Sequence, residues 1–180
     1  MKKDNFIDPI LLEKESFRDE RGFFKETYRK KWFHDIDNSD FVQDNLSFSK
    51  KIGTLRGMHL QKKPFAQSKI VQCLNGHILD VVVDLRKKSK NYLKNYSYNL
   101  KGEDNFILYV PEGFAHGFIT LEKNTLVTYK VNNYYSPKNE ISISWKDPAM
   151  NITWPLTEDE ITLADKDLNA PSLYEHNLNF

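Results

Sequence analysis

Arg56, His59 and Lys69 form the grouping in this 180-residue chain best suited to chemistry. The first two lie in Leu55-Arg56-Gly57-Met58-His59-Leu60-Gln61, and Lys69 follows eight residues after Gln61. A histidine with an ordinary pKa of about 6.5 exchanges a proton near neutral pH. Arginine and lysine beside it can hold phosphates or offset the charge of an enolate oxygen. A strand bearing a hydrogen-bonded histidine is the ordinary use of such a segment, so the surroundings must decide.

Three further segments carry reactive groups. Pro111-Glu112-Gly113-Phe114-Ala115-His116-Gly117-Phe118 sets His116 between two glycines, which admit close approach of backbone or ligand. A tight turn entering a strand has the same pattern. Tyr129-Lys130, reached through Leu126-Val127-Thr128, offers a phenol that can act as a general acid inside a barrel, or simply fill a core or rim. Leu163-Ala164-Asp165-Lys166-Asp167 is a charged cluster of the kind that also ends a solvated helix. Metal binding would require His59, His77 and His116 to converge, but no His-x-His pair occurs, and the expected metal set is none.

These groups need a scaffold, and the flanking patterns describe one rich in β-strands. Asn75-Gly76 between Ile70 and Arg86 is a strong hairpin signal, predicting two antiparallel partners. In the second run Leu79, Val81, Val83 and Leu85 alternate with Asp80, Val82, Asp84 and Arg86, which predicts one buried face and one polar-lined face. Short β-prone runs follow at Tyr96–Leu100, Phe106–Val110, Ala115–Leu121, Leu126–Val131 and Ile141–Trp145, divided by turn-formers. Helical patterns flank them at Lys25–Ile36 and after Thr157, where Thr157 and Glu160 have capping-box spacing.

Composition narrows the partners. Lys plus Arg number 26 against 25 Asp plus Glu, and a net charge of +1 gives no global attraction for nucleic acid or an anionic membrane. Neither class of partner is expected, so an anionic ligand must be held locally. Cys73 is the single cysteine; this excludes an internal disulfide and fits a reducing, cytoplasmic setting, although secreted proteins can also lack bridges. Met1-Lys2-Lys3-Asp4-Asn5 is followed by no apolar leader, and no run approaches the roughly 20 apolar residues of a membrane span. Seven glycines, seven prolines and no repeat or linker predict one domain over residues 1–180.

From about Phe17 to Leu173 the sequence resembles the dTDP-4-dehydrorhamnose 3,5-epimerase family. The motifs are Phe17-Arg18-Asp19-Glu20-Arg21-Gly22-Phe23-Phe24-Lys25-Glu26, Val42-Gln43-Asp44-Asn45-Leu46-Ser47, the Leu55–Gln61 segment and Ala66-Gln67-Ser68-Lys69. They continue with Pro111–Phe118, Tyr129-Lys130, Tyr134-Tyr135-Ser136-Pro137, Trp145-Lys146-Asp147-Pro148 and Leu163–Asp167. The resemblance implies a mostly β, cupin-like antiparallel jelly-roll barrel with a few flanking helices, no cofactor, and a homodimer that exchanges an N-terminal strand.

It also implies a substrate, a nucleoside-diphosphate 4-keto-6-deoxy sugar whose C3 and C5 protons are acidified by the ketone. His59 would be the base, Asp167 its orienting carboxylate, Lys69 the enolate stabiliser and Tyr129 the acid on the opposite face. Arg56 and a neighbour's Arg21 would hold the diphosphate, with Glu26, Gln43, Asp44 and Asn45 on nucleotide or sugar. Tyr135 would stack on the base, and His116, Glu140 and Lys166 would complete the pocket. Leu46, Lys146 and Ala164 depart from the His, Asn and Ser usual in the family. Relatives that invert only C3 or only C5 or that accept another nucleotide or a heptose, a silent sugar-nucleotide-binding cupin, and a metal-dependent cupin oxygenase or isomerase are the alternatives.

Overall fold

The computed structural model describes residues 6–178 and 180; the reading of Met1–Asn5 lies outside the described residues. In chain order the strands are β1 (Ile10–Glu13), β2 (Phe17–Asp19), β3 (Gly22–Phe24), β4 (Gln43–Ser49), β5 (Leu55–Gln61) and β6 (Lys69–Asn75). They continue as β7 (His77–Asp84), β8 (Asn95–Lys101), β9 (Phe106–Val110), β10 (Phe114–Thr120), β11 (Thr125–Val131) and β12 (Glu140–Ser142), and a one-turn helix α1 spans Asp165–Leu168. One antiparallel sheet has the order β1-β9-β6-β11-β4, a second β12-β5-β10-β7-β8, and β2 and β3 form a separate hairpin. The mostly β, cupin-like architecture agrees with the alternating apolar runs.

Between the two sheets, Val71, Cys73, Leu108, Val110 and Val127 meet Ile78, Val82, Leu100, Phe114 and Phe118. Each fully buried side chain of this size contributes about 1.5–3 kcal/mol. The outer face of the second sheet is covered by the C-terminal third, where Ile143, Met150, Leu173 and Leu178 pack on Met58, Leu60, Val81, Val83 and Ala115. On the outer face of the first sheet, Phe33 and its neighbours Tyr28, Trp32 and Phe41 lie against Ile70, Ile107 and Tyr109.

This layering overturns the predicted hairpin. β6 ends at Asn75 and β7 starts at His77, but the two strands belong to different sheets. β6 is already bonded on both edges by β9 and β11, and β7 by β10 and β8. The Asn75-Gly76 turn, with Gly76 at φ +79°, therefore passes the chain from one sheet to the other. A Cβ on Gly76 would lie 2.4 Å from Thr125 Oγ1, so glycine is required by space as well as by backbone angle. The expectation for β7 also needs correction: Asp80, Val82 and Asp84 are as buried as Val81 and Val83, because each face of the strand has a packing partner.

The helix predicted over Lys25–Ile36 is only a 3-10 turn at Lys30–Trp32. Arg29 is extended, and Lys25 Nζ donates to the Gly102 and Asp104 carbonyls, at 3.4 and 2.8 Å, which ties this segment to the body. After Thr157 the helix is likewise one 3-10 turn, Glu158–Glu160. The Thr157 N–H donates to the Glu160 carboxylate at 2.9 Å as the capping spacing predicts. Ile161 then turns extended and Thr162 bridges Thr54, so tertiary pairing stops the helix.

Candidate active site

β5 supplies the central groups. Met58 and Leu60 point into the outer core while His59 points between the sheets, opposite His116 of β10 and Ser142 of β12. The β5–β10 pairing shifts register between His116 and Phe118. Gly57 and Gly117 cross there so closely that a Cβ on Gly57 would lie 2.5 Å from Gly117 Cα. The glycine pair thereby lets Arg56, His59 and His116 share one wall.

A cavity of about 480 Å³ opens at this wall, lined by Arg56, His59, Lys69, His116, Tyr129, Glu140, Lys166 and Asp167 among others. His59 Nε2 is 2.6 Å from Asp167 Oδ1. A carboxylate only accepts, so Nε2 carries the hydrogen and the Nδ1 lone pair remains available. Asp167 is almost fully buried on α1, which places it behind the imidazole. His116 Nε2 lies 3.0 and 2.9 Å from the two Asp80 oxygens, and its Nδ1 is 3.5 Å from Lys69 Nζ.

Burial sets the charges. It lowers the Lys69 ammonium from 10.5 to about 8, a fall limited by the negative charges of Asp80 and Glu140. Burial likewise lowers the His116 imidazole, opposed by Asp80, so His116 is the neutral partner of this group. The Tyr129 phenol is pushed up by burial, which keeps it protonated at neutral pH. Burial would raise the Glu140 carboxyl, yet hydrogen bonds from Lys166 and Tyr135, at 3.0 and 2.8 Å, hold it below its ordinary range.

A second depression of about 300 Å³ adjoins the first, sharing Tyr129, Glu140 and Lys166 and adding Gln43, Asn45, Gln67 and Tyr135. Gln43 accepts from the Tyr135 N–H at 2.9 Å and donates to Asn45 at 2.8 Å. Arg56 lies at the cavity mouth, where Nη2 donates to the Phe48 carbonyl at 3.2 Å. Asp44 is on the other face of β4, paired with Lys130 at 2.6 Å, and lines neither space.

Two predicted binding residues stand apart within the single chain. Arg21 is bound to Asp19 in the exposed β2–β3 hairpin, and Glu26 to Arg29 beside Phe17 and Phe24. Of the three departures, Leu46 and Ala164 line the cavity, whereas Lys146 is paired with Glu158 outside it. His77 bonds Asn99 at 2.9 Å, so the three candidate metal histidines have three separate partners. Sequence reasoning missed Asp80 behind His116 as well as Phe118, Thr162 and Gln67; its one signal was the alternation that aims Asp80 between the sheets.

Residues 4–175 match the family model described as dTDP-4-dehydrorhamnose 3,5-epimerase. A curated relative of that description from Sinorhizobium fredii is 44% identical, the match covering 94% of this chain and 87% of the relative. The crystal structure of such an epimerase from Bacillus anthracis, with TDP and PPi bound, is 46% identical, with a TM-score of 0.88, covering 96% of this chain and 98% of that one. A dTDP-6-deoxy-D-glucose-3,5-epimerase of Legionella pneumophila, in complex with dTDP-4-keto-L-rhamnose, is 36% identical, with a TM-score of 0.91, covering 98% of this chain and 95% of that one.

Proposed function

The chain belongs to the dTDP-4-dehydrorhamnose 3,5-epimerase family, and we propose that its cavity takes dTDP-4-keto-6-deoxy-D-glucose and inverts C3 and C5. The observation that carries this reading is the 2.6 Å His59–Asp167 bond in one cavity with Lys69 and Tyr129. The C4 ketone acidifies both neighbouring C–H bonds. His59 Nδ1 takes the proton, the pair of electrons moves to the C4 oxygen, and Asp167 supports the imidazolium that results. Lys69 offsets the enolate charge from a site already desolvated, where such a charge acts strongly. Tyr129 returns a proton from the opposite face; the tyrosinate then regains one from solvent and the His59 imidazolium gives one up to solvent, so no atom is gained or lost overall.

Arg56 holds the diphosphate, Gln43 and Asn45 line the nucleotide end, and Tyr135 stacks on the base. His116, Glu140 and Lys166 frame the sugar. Arg21 and Glu26 act in a neighbouring subunit's site within a homodimer. Support comes from the β2–β3 hairpin, which exposes Phe17 at 61%, Phe23 at 53% and Phe24 at 68%, and from the open edge of β4, where Leu46 and Phe48 are exposed. The chain acts as one domain, in the cytoplasm, on nucleotide sugars; among the described residues no helix is long and apolar enough to cross a membrane.

The test is incubation with dTDP-4-keto-6-deoxy-D-glucose in deuterated water, following the C3 and C5 protons by NMR with His59→Ala as control. Loss of both signals with wild type alone is the expected result. Exchange at one centre would make it a single-centre epimerase, and silence would leave a binding protein.

A further inference from the structure

Asp80 lies at the midpoint of β7, opposite Phe118 of β10 and Tyr98 of β8, and is fully buried. Its surroundings are the apolar layer of Ile78, Val82, Phe114 and Phe118. An ionised carboxylate there is costly unless it is paired, and an apolar residue of similar size would serve the fold at least as well. Among the described residues the hydrogen-bond partner of its side chain is His116, whose Nε2 meets both oxygens at 3.0 and 2.9 Å. Asp80 does not line the cavity; the imidazole stands between it and Lys69.

We propose that Asp80 is a positioning residue for the reaction: it fixes His116 with the hydrogen on Nε2, so that Nδ1 receives one N–H of Lys69 and the remaining ammonium hydrogens face the substrate oxygen. The geometry follows from donor and acceptor rules. The carboxylate only accepts, so Nε2 must donate; the ring is neutral, so Nδ1 has a lone pair; and an ammonium only donates. With the opposite tautomer Nδ1–H would oppose the Lys69 ammonium, and Nε2 would put its lone pair against a carboxylate. Asp80 thus both aims the lysine and supplies negative charge near it in a site with little solvent screening.

The charged and titratable groups around the Lys69 cavity come from six elements: Arg56 and His59 from β5, Asp80 from β7 behind His116 of β10, Tyr129 from β11, Glu140 from β12 and Lys166 and Asp167 from α1, whereas β9 sets Val110 beside Lys69. Asp80 and Glu140 favour the ammonium, Lys166 opposes it, and burial is the largest influence. Replacing Asp80 with asparagine leaves the shape but removes one of the two negative charges. The inference rests on the proposed reaction for its kinetic consequence alone.

The test therefore has two arms. In the resting wild-type protein, nitrogen-15 NMR of the imidazoles near pH 7 should show His116 neutral with the proton on Nε2; a proton on Nδ1 would overturn the proposal even if no variant folds. In Asp80→Asn the expected result is a kcat about tenfold lower with KM within about twofold, and an alkaline limb of the kcat profile moved about one pH unit lower. An unchanged alkaline limb, with only a lower melting temperature, would make Asp80 structural. Absence of epimerase activity in the wild type would sink the assigned reaction, yet the tautomer would still be decided, because the spectrum needs no substrate.

Discussion

His59 and His116 stand opposite one another on neighbouring strands, and each turns Nε2 to a different buried carboxylate, Asp167 at 2.6 Å and Asp80 at 2.9 Å. Their exposure separates their uses: the His59 side chain is 20% accessible and that of His116 7%. The first imidazole opens to the cavity while the second is sealed beside Lys69.

Removing the base should remove the chemistry and spare the fold. His59→Ala is expected to lower kcat by on the order of 10² to 10⁴, and Asp167→Asn to lower it strongly by releasing the imidazole from its tautomer. Deuterium exchange at C3 and C5, alongside circular dichroism melting, checks both. Retained exchange in His59→Ala would move the base elsewhere.

The reaction should fade at alkaline pH. Lys69 titrates at about 8 in the folded protein instead of 10.5, so its ammonium, and with it kcat, is lost as pH rises through about 8. Stability has the opposite sense. The unfolded chain holds this proton more tightly, so the burial penalty is complete below about pH 8 and is relieved between there and about 10.5, amounting to about 3 kcal/mol. Lys69→Met should accordingly melt at a higher temperature than wild type near pH 7 while losing turnover. A lower melting temperature would contradict the penalty.

Proton return can be isolated from proton removal. Tyr129 stays protonated at neutral pH because its hydroxyl is desolvated, so Tyr129→Phe takes away the donor and keeps the ring. Substrate C5 deuteration should persist in this variant, with inverted product lower by about 10²-fold. Unimpaired inversion at C5 in the NMR time course would assign the acid to another group.

Subunit exchange predicts complementation. Arg21→Ala and His59→Ala homodimers should each be nearly inactive, whereas co-refolded chains should recover about a quarter of wild-type activity, since half the dimers are mixed and each has one intact site. No recovery would mean that the hairpin acts on its own chain. Phe24→Glu should shift the mass measured by light scattering from dimer to monomer.

Much of the strand content was legible because two-residue alternation is a local signal. Phe106–Val110 matches β9, Leu126–Val131 lies within β11, and Tyr96–Leu100 lies within β8. Lys25–Ile36 misled because its apolar residues, Tyr28, Phe33 and Ile36, cover a sheet from an irregular chain. Their spacing records burial without recording backbone angle.

The sequence by itself determined most of the strands from Ile70 onward, the turn at Gly76 and the residue types available for proton transfer. Motif order, through its resemblance to a known family, grouped His59, Lys69, Tyr129 and Asp167 before any coordinates. Only the tertiary structure decided that Asn75-Gly76 crosses between sheets, that Asp167 lies 108 residues from His59 in sequence yet 2.6 Å from it in space, and that Asp80 stands behind His116. The reason is that turn chemistry and side-chain period are properties of neighbours along the chain. Strand partner and carboxylate partner are settled by which edges and which buried donors remain unsatisfied once the two sheets close on each other.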